Sequence, residues 1–421
     1  MRRALLPAVL ALALLAPAHA SAYTIEGRGF GHGVGMSQYG AYGFALEGRG
    51  YRDILRHYYR GTRIGEIEPR SVRVLLQASR PAISFTGATG AGDTELVRGR
   101  TYTATRAGDN VVLRYAGRKV DTFGSPLRVR SSAGAVRLGG TALNDVTDGA
   151  YRGTIELRLG LEGGLTAVNE LALDDYLKGV VPGEVPARWP IEALKAQAVA
   201  ARSYAITTGA GGAVFDQYPD TRSQVYRGLS HEQPRSTAAV LATARQVVKY
   251  RGEPAVTYFF STSGGRTENV ENVFYGAAPR PYLRSVKDPY DGRSPRHRWT
   301  VRLTRAQMTA RLGSYVKGRF RGIRVVRRGV SPRVVWADVV GSGGTTRVRG
   351  ATLKARLELP DTAARFPSSF ESRRRRVEAV AMANVELAAA QLAAPLPAAP
   401  KRRSPRFAWP GGAWESRTGR D

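Results

Sequence analysis

Residues 180–190 read Val-Val-Pro-Gly-Glu-Val-Pro-Ala-Arg-Trp-Pro and place one carboxylate, Glu184, among prolines, a glycine and apolar side chains. We expect a short loop here, because prolines and glycine interrupt regular structure. A carboxylate with apolar neighbours is poorly solvated, so its pKa rises and it keeps a proton near neutral pH. That property suits a general acid. An ordinary solvated loop glutamate is the alternative, since strongly perturbed groups are a minority.

Helical patterns flank this stretch on both sides. Asp174 or Asp175 is expected to cap the helix before it, and Pro190 to begin the helix after it. Gln197 and Tyr204, seven residues apart in the second helix, share a face that either points toward the carboxylate or lies exposed at the surface, as polar helix positions mostly do. Another face of this helix is apolar, rich in alanine and predicted to be buried: Ile191, Leu194, Ala198, Ala201 and Ala205.

A glycine-rich run at residues 27–43 contains His32. Alternating glycines suit a backbone that another chain segment or a ligand approaches closely. Ser37 is expected to cap a helix that ends near Glu47, and a second helix is predicted at residues 51–59. His32 is either a site residue or a structural histidine that bonds the backbone, and its spacing does not decide between them.

Residues 66–168 consist of short alternating runs separated by turn residues, which predicts an antiparallel barrel or sandwich. Further on, a polar loop follows an apolar strand and contains Ser263 and Thr267, which are candidates for substrate binding or for ordinary turn bonds. We therefore predict an α+β fold, in which a mixed helix and sheet core (residues 21–65 and 169–360) receives the β-rich domain as an insertion.

The two ends of the chain differ from the rest in composition. The apolar run from Ala4 to Ala16 follows two arginines and precedes Ala18-His19-Ala20, as in a signal peptide cleaved after Ala20. We accordingly expect an exported protein in the cell wall, outside the cell or in a periplasm-like space. Residues 361–421 are basic and rich in alanine and proline, which predicts a disordered tail.

Composition narrows the possible chemistry. The chain has no cysteine, which excludes a thiol nucleophile, an iron–sulfur cluster and cysteine-ligated zinc. The net charge is +30, and the cationic residues are scattered rather than arranged in a nucleic-acid module. For an exported protein, this charge favours an anionic wall polymer or surface, and no nucleic-acid partner is expected.

Three separated motifs resemble the SpoIID/LytB domain. They are residues 173–186 with the helical motif at 192–205, the Ser-Gly-Gly-Arg-Thr-Glu motif at 263–268, and the glycine-rich run at 29–41. In many family members the glycine-rich run lies at the C-terminal end of the domain, so its place here implies a circular permutation. Some members bind zinc through cysteines. That site is not carried over to this chain, and neither a metal nor a cofactor is expected.

The resemblance implies a protein that acts on peptidoglycan glycan strands. Sporulation protein D of this family is a lytic transglycosylase whose acid/base glutamate matches Glu184, whereas LytB relatives are enhancers of cell-wall amidases. We therefore expect a lytic transglycosylase that leaves a 1,6-anhydro end, with a non-catalytic amidase enhancer as the alternative. The motifs also match residues that would orient the sugar or the carboxylate, or line the glycan groove: Gln197, Arg202, Tyr204, Ser263, Thr267, His32, Ser37 and Gln38.

Overall fold

A computed structural model describes residues 22–160 and 162–367 of the chain. The predicted signal peptide and most of the predicted tail lie outside these residues. Among the helices that are described, none has the length and apolar character needed to cross a membrane.

Helices and strands alternate irregularly along the described chain. The helices are α1 (Gln38–Leu46), α2 (Tyr51–Tyr58), α3 (Leu173–Glu184), α4 (Ile191–Thr207), α5 (Pro234–Ala242), α6 (Val270–Val273), α7 (Arg305–Leu312) and α8 (Gly350–Leu357). The strands are β1 (Ala22–Gly27), β2 (Met36–Ser37), β3 (Arg63–Glu66), β4 (Ser71–Arg80), β5 (Ala82–Thr86), β6 (Gly90–Ala91), β7 (Thr94–Glu95), β8 (Tyr102–Ala107), β9 (Asn110–Tyr115), β10 (Arg118–Gly124), β11 (Leu127–Arg130), β12 (Val136–Leu138), β13 (Ala150–Tyr151), β14 (Thr154–Leu159), β15 (Leu165–Ala172), β16 (Gln246–Tyr250), β17 (Glu253–Pro254), β18 (Phe259–Phe260), β19 (Trp299–Thr304), β20 (Phe320–Arg328), β21 (Val334–Gly341), β22 (Gly344–Arg349) and β23 (Ala364–Arg365). The predicted α+β class is confirmed.

The β-rich segment forms two six-stranded antiparallel sheets. Their strand orders are β10-β9-β8-β5-β12-β13 and β4-β15-β14-β11-β6-β7. Burial alternates along strands such as β5 and β11, as expected when one face of a strand packs inward and the other meets solvent. Side chains of both sheets, including Phe85 and Leu113 of one and Leu127 and Ile155 of the other, share one apolar core. The segment is therefore a sandwich and not a closed barrel.

Helix α4 is the central helix of the mixed core. Strand β15 leads directly into α3, and Val181 of α3 packs with Leu194 and Ala198 of α4 in the same core as the sandwich. The opposite side of α4, including Ala200, packs in a second cluster with Ile54 of α2. Because its side chains are mostly small, α4 lies close to α1, α2, α3 and α5 at once.

The glycine-rich run delivers α1 to this core. Strand β2 pairs in parallel with β18, and Ser37 then caps α1 by accepting a hydrogen bond from the Gly40 N–H at 3.1 Å. This cap and the helix pair agree with the sequence prediction. The glycine run thus fixes the position of Gln38, the first residue of α1.

A third apolar cluster joins the two ends of the described chain. It contains Tyr23 of β1, Phe320 of β20 and Leu353 of α8. Strand β1 pairs with β19 and with β23, and the fully buried Asp361 forms an ion pair with Arg333 at 2.8 Å. The ordered chain therefore extends past residue 360, where the tail was predicted to begin.

Candidate functional site

Glu184 is the last residue of α3, so the prediction that it lies in a loop is wrong. A proline removes its own N–H from the helical bonding pattern, and in the last turn little of the helix remains to be disturbed. The helix therefore continues through Pro182 and ends with the Val185 N–H bonded to the Val181 carbonyl oxygen at 3.0 Å. The predicted aspartate cap is also wrong: Ala172 is the N-cap, and both aspartates lie in the first turn.

Each oxygen of the Glu184 carboxyl group accepts one hydrogen bond. The Val225 N–H donates to Oε1 at 2.8 Å, and the Gln38 side-chain amide donates to Oε2 at 3.4 Å. Burial raises the pKa of Glu184 above its usual value, and the bonds from Val225 and Gln38 oppose that rise. The residue nevertheless keeps partial solvent exposure. A fixed, reachable carboxyl group with a raised pKa can act as a general acid.

Two glycines of α3 allow the Val225 backbone to come this close. A Cβ atom on Gly183 would lie 2.6 Å from the Val225 carbonyl oxygen, and one on Gly179 would lie 2.8 Å from the Tyr226 ring. Both distances are too short for real side chains. Glycine at these two positions, four residues apart on one face of the helix, is therefore required for the contact with Glu184.

Gln224 holds the partner segment from the other side. This fully buried side chain accepts a hydrogen bond from the Tyr176 hydroxyl at 3.2 Å and donates to the Ala201 carbonyl oxygen at 3.3 Å. The sequence of residues 223–226, Ser-Gln-Val-Tyr, contains no signal that identifies the distant partners of Gln224 or the contact of Val225 with Glu184.

Tyr204 is partly buried on α4. Burial raises the pKa of Tyr204, and the charge of Glu184 adds to the rise. Gln197, on the same face of α4, is only 1% exposed, and neither atom of its amide has a hydrogen-bond partner in the described part of the chain. Because an unpaired buried amide costs about 1–3 kcal/mol, we expect an ordered water molecule or a bound polar group to satisfy it.

An open groove of about 580 Å³ has Tyr39, the residue after Gln38, in its lining. Its aromatic wall consists of three side chains: the Trp189 ring lies 5.0 Å from the Tyr39 ring and 4.8 Å from the Tyr42 ring, centre to centre. Three cationic side chains complete the lining: Arg188, Arg235 and Arg293. Sequence analysis noted Trp189 only as an apolar neighbour of Glu184.

His32 has both ring nitrogens occupied by the backbone. The Val34 N–H donates to Nδ1 at 3.1 Å, so Nε2 carries the proton and donates to the Phe259 carbonyl oxygen at 3.0 Å. Burial lowers the pKa of His32 to about 3, and the imidazole is therefore neutral near pH 7. This arrangement fits the structural alternative for His32 and leaves no ring nitrogen for a substrate.

Arg202 points away from Glu184 and is fully buried. Its guanidinium group pairs with Asp174 at 2.6 Å and donates to the carbonyl oxygens of Gln246 and Val240. These bonds tie α4 to the start of α3 and to β16. The structure thus gives Arg202 a role in the helix packing that supports the site.

The remaining predicted residues also bond within the fold. Ser263 donates to Asp291 at 2.9 Å, and the Thr267 hydroxyl accepts from the Val286 N–H at 2.8 Å. Ser37 caps α1 and so positions Gln38 without contacting Glu184 itself. Of the predicted residues, Gln38 contacts Glu184 directly, whereas His32, Ser37, Arg202, Ser263 and Thr267 bond within the fold.

No group of three or more histidine, aspartate or glutamate side chains in residues 22–160 and 162–367 is arranged to hold a metal ion. The site described above therefore consists of one carboxyl group, its amide donors and an aromatic, cationic groove.

Known proteins match this chain around the site. Residues 161–250 match the SpoIID family, described as stage II sporulation protein. Stage II sporulation protein D of Bacillus subtilis (strain 168) is 36% identical over 169 residues, which are 36% of this chain and 49% of that protein. Its counterpart in Bacillus amyloliquefaciens is 30% identical over 213 residues, covering 46% of this chain and 59% of the relative.

A protein of Bacillus subtilis (strain 168) named amidase enhancer is 42% identical over 134 residues, which are 31% of this chain and 17% of that protein. The chain thus spans between 17% and 59% of the length of these three relatives. The matched region contains α3, Glu184, α4 and the Val225 segment. The resemblance predicted from the motifs is confirmed, and the chain carries a domain of the SpoIID/LytB family.

Proposed function

We propose that this protein is an exported lytic transglycosylase that cleaves the β-1,4 bond between N-acetylmuramic acid and N-acetylglucosamine in peptidoglycan. The observation that carries the proposal is the setting of Glu184: partly exposed, raised in pKa, and held by hydrogen bonds from Val225 and Gln38. A single carboxyl group of this kind can serve first as acid and then as base.

In the first step, protonated Glu184 donates its proton to the bridging oxygen as the bond from that oxygen to the muramoyl C1 breaks. The carboxylate then removes the proton of the muramoyl C6 hydroxyl while that oxygen bonds to C1. The products are a free 4-hydroxyl group and a 1,6-anhydro ring, and Glu184 regains its proton. No water is consumed, so the second carboxyl group that usually serves hydrolytic glycosidases is not needed.

The hydrogen bonds to Glu184 suit both steps. The Val225 N–H at 2.8 Å stabilises the carboxylate that forms after proton donation. Burial favours the neutral carboxyl group, and so favours uptake of the proton from the C6 hydroxyl in the second step. In the groove, the partly exposed Tyr39 and Tyr42 are the aromatic side chains against which a sugar ring can pack, and the buried Trp189 supports them.

The test is to incubate the purified full-length protein with peptidoglycan and to search for anhydromuramoyl products by mass spectrometry. We expect products from the wild type and a loss of at least about a hundredfold with Glu184→Gln, since general acid–base catalysis contributes about 10²–10⁴-fold. Glu68→Gln is the matched control, because Glu68 is exposed and removed from the site. Full activity of Glu184→Gln would exclude Glu184 as the acid.

The relative named amidase enhancer supports a second candidate function, a non-catalytic protein that binds the wall and stimulates an amidase. In that case Glu184→Gln would leave stimulation intact, and the wild type alone would release no anhydromuramoyl product. The +30 charge also supports attraction to an anionic wall polymer. Binding to such a polymer would weaken with added salt.

A further inference from the structure

The first turn of α1, which presents Gln38 to Glu184, rests on the buried carboxyl group of Asp288. Asp288 is 1% exposed. A Cβ atom on Gly40 would lie 2.4 Å from each of its carboxyl oxygens, so the carboxyl group packs directly on the α1 backbone. The Tyr58 hydroxyl of α2 donates to Asp288 Oδ1 at 2.8 Å. Any displacement of this carboxyl group therefore shifts the backbone at the start of α1.

A second buried carboxyl group, Asp291, belongs to the same cluster and is also 1% exposed. Its Oδ2 accepts two hydrogen bonds, from the Ser263 hydroxyl at 2.9 Å and from the Gly264 N–H at 2.6 Å. His297 Nδ1 lies 3.0 Å from its Oδ1. Asp291 Oδ1 and Asp288 Oδ2 each have no hydrogen-bond partner among the described residues. Asp291 thus accepts two hydrogen bonds through Oδ2, whereas Asp288 accepts one through Oδ1.

Burial and the charge of Asp291 raise the pKa of Asp288 to about 7, against the opposing hydrogen bond of the Tyr58 hydroxyl. The titratable groups that face the cluster are Tyr58 from α2, Asp291 itself and His297, which is paired with Asp291. His57 bonds the backbone of the preceding Lys287 at 2.8 Å. Asp288 therefore changes charge near neutral pH.

We propose that Asp288 is a positioning residue for Glu184: in its neutral form it supports the first turn of α1 and hence Gln38, and its ionisation displaces that turn. This inference rests on the proposed function of Glu184. Two carboxylates that share a buried site repel each other strongly. Repulsion from Asp291 drives ionised Asp288 toward water or against Gly40, where there is no free space. The Gln38 amide then moves relative to Glu184.

The test follows the Gln38 side-chain amide by NMR in full-length protein labelled with ¹⁵N-glutamine, with the resonance assigned by its absence in Gln38→Glu. In the wild type we expect a pH-dependent shift with a midpoint near 7. The same transition should persist in Glu184→Gln, which removes the titration of Glu184, and should vanish in Asp288→Asn. A transition that vanishes in Glu184→Gln and persists in Asp288→Asn would overturn the proposal.

Tyr58→Phe provides a second variant in case Asp288→Asn does not fold. Because the Tyr58 hydroxyl stabilises the ionised form of Asp288, its removal should raise the midpoint, and an unchanged midpoint would contradict the proposal. The NMR readout does not depend on catalysis. A protein that yields no anhydromuramoyl product but shows these shifts would refute the proposed function and retain the positioning role.

Discussion

The substitution Gly183→Ala tests whether the close approach of the Val225 segment sets the acidity of Glu184. The new Cβ atom would lie 2.6 Å from the Val225 carbonyl oxygen, and an ordinary contact needs about 3.4 Å, so the segment must move by about 0.8 Å. If it moves directly away, the hydrogen bond from Val225 N–H to Glu184 lengthens from 2.8 Å to about 3.6 Å, beyond a normal hydrogen bond.

A hydrogen bond to a charged group contributes about 1.5–3 kcal/mol, which corresponds to a rise of about 1–2 units in the pKa of Glu184 when the bond is lost. Global stability should change less. Alanine favours a helix by about 1 kcal/mol over glycine, which offsets part of the overpacking cost of about 1–3 kcal/mol.

The assay is a pH titration of the Glu184 carboxyl carbon in ¹³C-glutamate-labelled protein, with the signal assigned by its loss in Glu184→Gln. Gly209→Ala is the matched control, because a Cβ atom on Gly209 would meet nothing within 4 Å. A midpoint that Gly183→Ala leaves unchanged, in a folded protein, would refute the reasoning that the Val225 N–H holds down the pKa of Glu184.

Three further predictions concern the groove, a buried ion pair and a buried histidine. Tyr42→Ala removes part of the aromatic wall and should raise KM by about ten- to a hundredfold with a smaller effect on kcat, as measured by steady-state kinetics on glycan strands. Arg202→Met leaves Asp174 and two carbonyl oxygens without their partner. The free energy of unfolding measured by denaturant titration should therefore fall by about 3–5 kcal/mol. A loss below about 1 kcal/mol would contradict a structural role for Arg202. The pKa of His32 is about 3 in the folded protein and 6.5 in the unfolded chain. The contribution of neutral His32 to stability is therefore present above pH 6.5 and is lost as the pH falls toward 3, at up to about 1.4 kcal/mol per pH unit. His32→Asn should flatten this pH dependence in acid-unfolding curves.

Local patterns in the sequence predicted much of the fold. The alternation of apolar and polar residues predicted the strands of the sandwich, which show alternating burial. Ser37, as an expected N-cap, predicted the start of α1. Pro182 made a loop the expected structure around Glu184, although the helix continues through this proline and ends two residues later. The alternation could not decide between a sandwich and a barrel, because both have one buried and one exposed face on each strand.

The sequence predicted the carboxyl group of the site better than its surroundings. Glu184 follows from its apolar neighbours and its motif, but the bond from Val225 joins residues 41 positions apart and depends on how α3 and its neighbour pack. Arg202 and Ser263 belong to the family motifs, and their buried partners became visible only in the structure. Membership of a motif therefore did not predict contact with Glu184 or with a substrate.

The most direct test of the central claim is cleavage of purified glycan strands in water enriched in ¹⁸O, with the products analysed by mass spectrometry. Because the muramoyl C6 hydroxyl replaces water as the attacking group, the account predicts 1,6-anhydro ends that contain no ¹⁸O, and their loss in Glu184→Gln. Reducing ends that carry ¹⁸O would identify a hydrolase, and the absence of any cleavage product would contradict the catalytic role of Glu184.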